Sequence, residues 1–376
     1  MLIKEMKYCY NDIGIVPAIK SNVEHRSECN PFIGGGYGES YLPIFTAPMS
    51  TVINTDNFKL FEQNHIIPIL PRNFDLETRI DYLRRGKWAA VGLQEFEDLF
   101  LNNDWDMELY PDVNVLIDIA NGHMSKLHNV IYNAKVKYKW SLGFKIMAGN
   151  IANPMTYYEL AKAGCDYARL SIGSGAGCIT STQTGVHYPI ASLIDETYKI
   201  KKKLEHNGEW TPMIIADGGI RDYCDVIKAI GILGADYVMI GGLFSKLVES
   251  AAPTFYYDKD GVSMHEIDPF KHKIDAYPDG TFDVDEEHII DNLHKVFYGM
   301  ASRRGQEDIQ GKKTKTSEGV EKVFDCTTNL RKWSENMVAY IQSAMSYTNC
   351  LYIEDFNPEN VDGIIISPQT KKSINI

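Results

Sequence analysis

The sequence predicts an α/β fold, specifically a (β/α)8 barrel, on three observations. Eight short apolar runs recur between residues 43 and 242, most of them continuous rather than alternating. Helical patterns lie between them, and their C-terminal ends are repeatedly polar or glycine-rich. A strand buried on both faces reads as a continuous apolar run. Strand–helix alternation repeated eight times closes a parallel barrel without remainder, and a doubly wound open sheet is the rival arrangement.

In order, the runs are PIFTAPM (43–49), IIPILPR (66–72), AAVGL (89–93), VLIDIA (115–120), FKIMAGN (144–150), YARLSI (167–172), MIIADGG (213–219) and YVMIGG (237–242). LETRIDYLRRGKW follows the second run and NPMTYYELAKAG the fifth, both with helical spacing. Asn153 and Asp222 stand where N-caps belong, because their side chains can accept from the free N–H groups of a first turn. The ends MSTV, RNFD, ANGH, GNIA, GSGAGC, DGGIR and GGLFS then share one rim, where barrels bind ligands. Residues 1–42 read as a leader packing on the barrel, over its bottom. Residues 43–357 read as the barrel domain. Within it, 251–296 is an acidic insertion with the turn signals DKDG and PDG, and the polar composition of 301–318 suits a mobile flap. Asn329 to Ser346 reads as a last helix, and 358–376 as a mobile tail.

A chain of 376 residues buries a core large enough to fold without disulfides or metals. The net charge of -12 argues against general nucleic-acid binding, which needs clustered Lys and Arg. It leaves room for a nucleotide held locally by backbone N–H groups. The cysteines number seven, scattered and without a CxxC pair, which argues against zinc and fits a reducing compartment. The N-terminal segment lacks a signal-peptide core, and no apolar run reaches the roughly 18 residues of a membrane span. The expected location is cytoplasmic, with no membrane partner.

The most informative segment is Ile172 to Thr180, IGSGAGCIT. Its glycines allow left-handed turns and close backbone approach to a ligand. A cysteine there is a nucleophile if its thiolate is stabilised, or else a structural cysteine in a tight turn. Together with AGNIA, TGVHYP, ADGGIR, DYVMIGGLF, FYGM and SEGVE, this loop resembles the inosine monophosphate dehydrogenase and guanosine monophosphate reductase family. The motifs stand in the family's order across about residues 10–324.

The resemblance implies roles residue by residue. Cys178 matches the cysteine that adds to purine C2, and Thr180 the threonine assisting at the leaving group or attacking water. Asp217 matches the carboxylate holding the ribose hydroxyls. Gly219, Gly241 and Gly242 match turns that bind the nucleotide phosphate, and Gly177 a substrate-binding position. Tyr298, Gly299 and Met300 match the segment beside phosphate and base, and Met49 a methionine near the nucleotide. Asp118, Asn121, Gly149 and Asn150 fall where a nicotinamide rests. The carbonyls of Gly173, Gly175 and Cys178 match a potassium site. On the residues alone, Asp217 could cap a helix, Met49 could be core, and Asp118 could pack a loop.

The resemblance implies a purine nucleoside monophosphate as substrate, a nicotinamide cofactor and a homotetramer. NADPH is the expected cofactor, with NADH or NAD as alternatives. The missing inserted domain, DIANG and the short stretch from Met300 to Glu318 without an Arg-Tyr pair favour the reductase. That enzyme converts GMP to IMP and ammonia. IMP dehydrogenase, a reductase of a deoxy or modified purine nucleotide, and a binding-only barrel stay open. Several positions depart from the family. Arg303 stands where reductases carry an acidic residue, and Glu307 or Asp308 are the candidates to replace it. Ala176 replaces a phosphate-binding serine, Arg72 a lysine assigned to catalysis, and Ser50 an aspartate.

Overall fold

The computed structural model describes residues 5–34, 40–175, 177–257, 264–267, 269, 293–300, 302–310, 319–326, 328–367 and 370–371. Eight strands form one parallel sheet: β1 (Ile44–Thr46), β2 (Ile69–Leu70), β3 (Trp88–Val91), β4 (Val113–Asp118), β5 (Phe144–Ile151), β6 (Tyr167–Leu170), β7 (Met213–Asp217) and β8 (Tyr237–Ile240). Their spatial order is β1-β8-β7-β6-β5-β4-β3-β2. The ring closes beside β1, where Thr46 N donates to Ile67 O at 3.0 Å and Ile67 N to Ile44 O at 2.9 Å. An open sheet would leave both of these edges unpaired, so the barrel is the fold.

The continuous apolar runs are explained by burial on both faces. Phe45, Ile69, Ala90, Leu116, Met147, Ile215 and Met239 fill the barrel interior. Their strand neighbours Ile44, Leu70, Val91, Val115, Ile146, Ile214 and Val238 pack outward under the helices. Trp88, Tyr167 and Tyr237 each begin a strand, and with Phe45 their rings meet at centroid distances of 5.1 to 6.2 Å. These rings plug the N-terminal end, which leaves the opposite rim as the ligand face.

The surrounding helices are α1 (Phe58–Gln63), α2 (Leu76–Arg84), α3 (Leu93–Glu97), α4 (Ser125–Lys137), α5 (Pro154–Lys162), α6 (Thr180–Thr184), α7 (Ile190–His206) and α8 (Tyr223–Gly231). Asn153 caps α5, its Oδ1 accepting from Met155 N at 3.0 Å, and Asp222 caps α8, accepting from Tyr223 N at 2.7 Å. The leader is fastened along α7 and α8. Tyr8 N donates to Ser192 Oγ at 2.7 Å, and Lys228 Nζ to the Tyr10 carbonyl at 3.2 Å. The tail is tied down as well, because Gly363–Ile365 pairs antiparallel with Ile13–Ile15.

A second sheet follows the barrel: β9 (Thr254–Tyr257), β10 (Met264–Ile267), β11 (Leu293–Tyr298) and β12 (Glu321–Asp325), ordered β10-β9-β11-β12 and antiparallel throughout. The turns DKDG and PDG lie outside the described residues, as do 311–318. Residues Arg303–Gln310 form a helix, α9, where the sequence read as a polar flap. Helix α10 (Leu330–Tyr347) is capped by Asn329, which accepts from Lys332 N at 2.7 Å. No described helix is long and apolar enough to cross a membrane.

Glu249 sits fully buried where barrel, second sheet and α10 meet, and its Oε2 accepts from Leu330 N at 2.9 Å. Burial pushes its carboxyl up to about 7, against the opposing pull of that hydrogen bond and of Lys295. A carboxyl raised in the folded state favours folding most when it is protonated. The favourable contribution is therefore present below the unfolded value near 4.5 and is lost as pH rises through about 7. The expected loss is of order 3 kcal/mol. Glu249→Gln keeps the acceptor without the charge. Urea midpoints compared at about pH 5 and about pH 8 should differ less in this variant than in the parent.

Candidate active site

Strand register brings three polar groups side by side at the rim. Asp118 ends β4 opposite Gly149 of β5, and Gly149 stands opposite Arg169 of β6. A Cβ at Gly149 would lie 2.7 Å from Arg169 Cβ, so only glycine lets the two outer side chains meet across the middle strand. Arg169 Nη1 donates to Asp118 Oδ1 at 2.6 Å and its Nε to Asp217 Oδ2 at 2.8 Å. Asn150 Nδ2 donates to the same Asp217 oxygen at 2.7 Å. Burial alone would weaken the charge on Arg169, but Asp217 and Asp118 outweigh it and raise its pKa. Asp217 thus belongs to a charged network and not to a helix cap. Its Oδ1 has no partner among the described residues.

Arg169 escaped the sequence reading. Its only signal was a charge inside the apolar run YARLSI, since a buried guanidinium has to be paired. Arg72 extends the network, its Nη1 donating to the Asp118 carbonyl at 3.2 Å. Gly92 makes room for this guanidinium, as a Cβ there would lie 2.7 Å from Arg72 Nη2. Arg72 Nε faces Glu95 Oε2 at 4.0 Å, while the neighbouring Asn73 Oδ1 is buried without a hydrogen-bond partner among the described residues. Asn121, on the loop after β4, is exposed, and its side chain turns back to accept from His123 N at 3.1 Å.

The glycine loop after β6 lies against three other segments. Gly219 N donates to Ser174 O at 2.9 Å, which joins it to the end of β7. Gly219 has φ +76 and Gly173 φ +82, left-handed values that favour glycine. Gly177 faces β11 so closely that an added Cβ would sit 2.8 Å from Phe297 Cε1 and 3.0 Å from Gly299 N. Its carbonyl accepts from Val320 N at 3.1 Å. Cys178 is half-buried, and its Sγ donates to Thr180 Oγ1 at 3.3 Å. The carbonyls of Gly175 and Gly173 accept from Cys178 N at 3.0 Å and Ser181 Oγ at 3.3 Å. Two of the three expected potassium ligands thus also carry a hydrogen bond of the loop itself, each with a second lone pair left over.

Met49 and Gly241 meet across β1 and β8, where an added Cβ on Gly241 would lie 2.9 Å from Met49 Sδ. Gly242 follows, its carbonyl accepting from Ser245 Oγ at 2.9 Å. Beside them, Ser50 Oγ approaches Met300 Sδ at 3.7 Å. Tyr298 is buried and its hydroxyl donates to Asp308 Oδ2 at 2.8 Å. Glu307 is exposed on α9, and its neighbour Asp308 is the residue that reaches the rim.

The ends of β1, β6, β7 and β8 and the Tyr298–Met300 segment therefore frame one mouth, with a thiol on one wall and the carboxylates on another. A family profile described as the IMP dehydrogenase / GMP reductase domain matches residues 7–267, most of the chain and all eight barrel strands. The chain belongs to the IMP dehydrogenase/GMP reductase family. It is 35% identical over 258 residues to the GMP reductases of Staphylococcus aureus strains Newman, USA300 and COL, covering 66% of this chain and 74% of each relative. As a member of this family it is an oxidoreductase on a TIM barrel. The profile match includes Cys178, Arg169 and Asp217, while Asp308 lies beyond its end.

Proposed function

We propose that this protein is a GMP reductase, converting GMP to IMP and ammonia at the expense of NADPH through a covalent adduct between Cys178 and purine C2. The observation that carries the reading is the half-buried Cys178 thiol at the glycine-lined mouth, hydrogen-bonded to Thr180 at 3.3 Å. The similarity to staphylococcal GMP reductases supports the direction of the reaction.

In this reading Cys178 Sγ bonds to C2 as its proton leaves through Thr180. The C2–N bond to the exocyclic amine then breaks, and ammonia departs carrying an added proton. A reduced nicotinamide, when bound, would supply the hydride for C2, and breaking of the S–C2 bond then frees Cys178 and IMP. Asp217 orients the ribose, since its Oδ1 is left over for a hydroxyl after Arg169 and Asn150 have bound Oδ2. Gly177, Gly219, Gly241 and Gly242 let backbone approach the phosphate, with Met49, Tyr298, Gly299 and Met300 around base and phosphate. Asp118, Gly149 and Asn150 form the wall for the nicotinamide, with Asn121 at its edge. Asn73 Oδ1, buried without a hydrogen-bond partner among the described residues, supplies an acceptor that fits its carboxamide. Residues 43–357 are the catalytic unit in this reading, acting in the cytoplasm as a homotetramer.

Absorbance of the reduced nicotinamide tests the proposal. The protein is mixed with GMP and NADPH, and separately with IMP and NAD. Loss of signal only in the first mixture is expected. A gain only in the second would make the protein an IMP dehydrogenase, and silence in both would overturn the reading.

A further inference from the structure

Helix α9 lays a carboxylate across the mouth. Asp308 Oδ2 accepts from Tyr298 Oη at 2.8 Å and from Ser50 Oγ at 3.2 Å. These donors come from the end of β11 and from the residue after Met49 on the β1 loop, so Asp308 joins two rim segments that frame the proposed base site. The residue following Tyr298, Gly299, lies against Gly177, the neighbour of Cys178. The helix is held close by Gly305, where an added Cβ would come within 2.5 Å of Gly299 O and 2.7 Å of Met300 Cα. Arg304 stacks over the Tyr298 ring at 4.7 Å.

Departure of ammonia from C2 needs a proton on nitrogen, because an amide anion is too basic to leave. Among the described residues the mouth offers three carboxylates. Asp118 and Asp217 are both tied to the buried guanidinium of Arg169. Asp308 is held by two neutral hydroxyls and forms no ion pair among the described residues. Its Oδ1 has no hydrogen-bond partner among them. One oxygen is thus anchored while the other stays available to a substrate amine.

We infer that Asp308 is the proton donor to the departing amine, an inference that rests on the GMP reductase reading. As Cys178 Sγ closes on C2, the Asp308 carboxylic acid gives its proton to the exocyclic nitrogen. The C2–N bond breaks with its electron pair going to nitrogen, ammonia leaves, and Asp308 remains as carboxylate to be reprotonated by solvent.

A substrate whose leaving group needs no proton separates this role from a structural one. IMP carrying chlorine at C2 would form the same adduct and release chloride. Asp308→Asn should lower turnover of GMP by about 100-fold or more, while chloride release from the 2-chloro nucleotide stays within about threefold of the parent. Asp308→Glu should recover part of the GMP activity. GMP turnover unchanged in Asp308→Asn overturns the inference, and so does an equal loss on both substrates, which would make Asp308 a latch for α9 and nothing more. Failure of the unaltered protein to act on GMP would instead defeat the reductase reading.

Discussion

Cys178→Ala is expected to abolish turnover of GMP while leaving nucleotide binding within a few-fold of the parent. The thiol is the only group in the proposed chemistry that forms a bond to the substrate, so no neighbour can replace it. Thr180 lies 3.3 Å away, but a threonine hydroxyl is a far weaker nucleophile than a thiolate. Binding is expected to survive because it is assigned to other parts of the mouth, with ribose at Asp217 and phosphate at the glycine turns. The alanine also fits the loop, whose geometry depends on Cys178 N donating to Gly175 O and on Gly177, not on the sulfur. Turnover measured beside equilibrium binding of GMP checks the claim. Loss of about 10⁴-fold or more in kcat at preserved affinity is the expected pattern. Residual turnover within tenfold of the parent would remove Cys178 from the mechanism.

Arg169→Leu is expected to damage stability and site together. The guanidinium is buried and holds Asp118 at 2.6 Å and Asp217 at 2.8 Å, both of which have only small exposed fractions. Removing the cation leaves two carboxylates close together with no opposing charge. Breaking a buried ionic group on one side costs about 3–5 kcal/mol. In a chain of this size that corresponds to a fall of roughly 4–6 °C in Tm. Asp217 then loses its orienting partner, so KM for the nucleotide should rise more than kcat falls. Arg169→Lys should recover part of the stability but little of the affinity, because one ammonium cannot reproduce two directed bonds to separate carboxylates. Thermal unfolding and steady-state kinetics on both variants test this. An Arg169→Leu protein with parental Tm would show that the network carries no net stability.

Much of the architecture was legible along the chain. Eight apolar runs at strand length, with helical patterns between them, correspond one for one to β1 through β8, because burial on both faces leaves a local mark on composition. The caps at Asn153 and Asp222 were equally local, each depending on one side chain and the first turn after it. The tail and flap were read less well. The flap is polar and the tail mixed, with GIII at 363–366, and composition reports average solvation, not whether an edge pairs. Gly363–Ile365 finds a partner at Ile13–Ile15 some 350 residues away in sequence. The spacing of Arg303–Gln310 places Gly305 inward with Asp308 on the mouth, while Arg303 and Glu307 are exposed, which polarity alone conceals.

The sequence by itself determined the barrel, the rim on which the reactive residues gather, and the glycine turn that carries Cys178. These follow from hydrophobic period and backbone freedom, both of which act over a few residues. Tertiary structure alone decided that Arg169 reaches two aspartates over the bare Cα of Gly149, and that Asp308, not Glu307, meets Ser50 and Tyr298. Cross-strand register and the phase of a docked helix arise from packing between distant segments, and no window of the chain contains them.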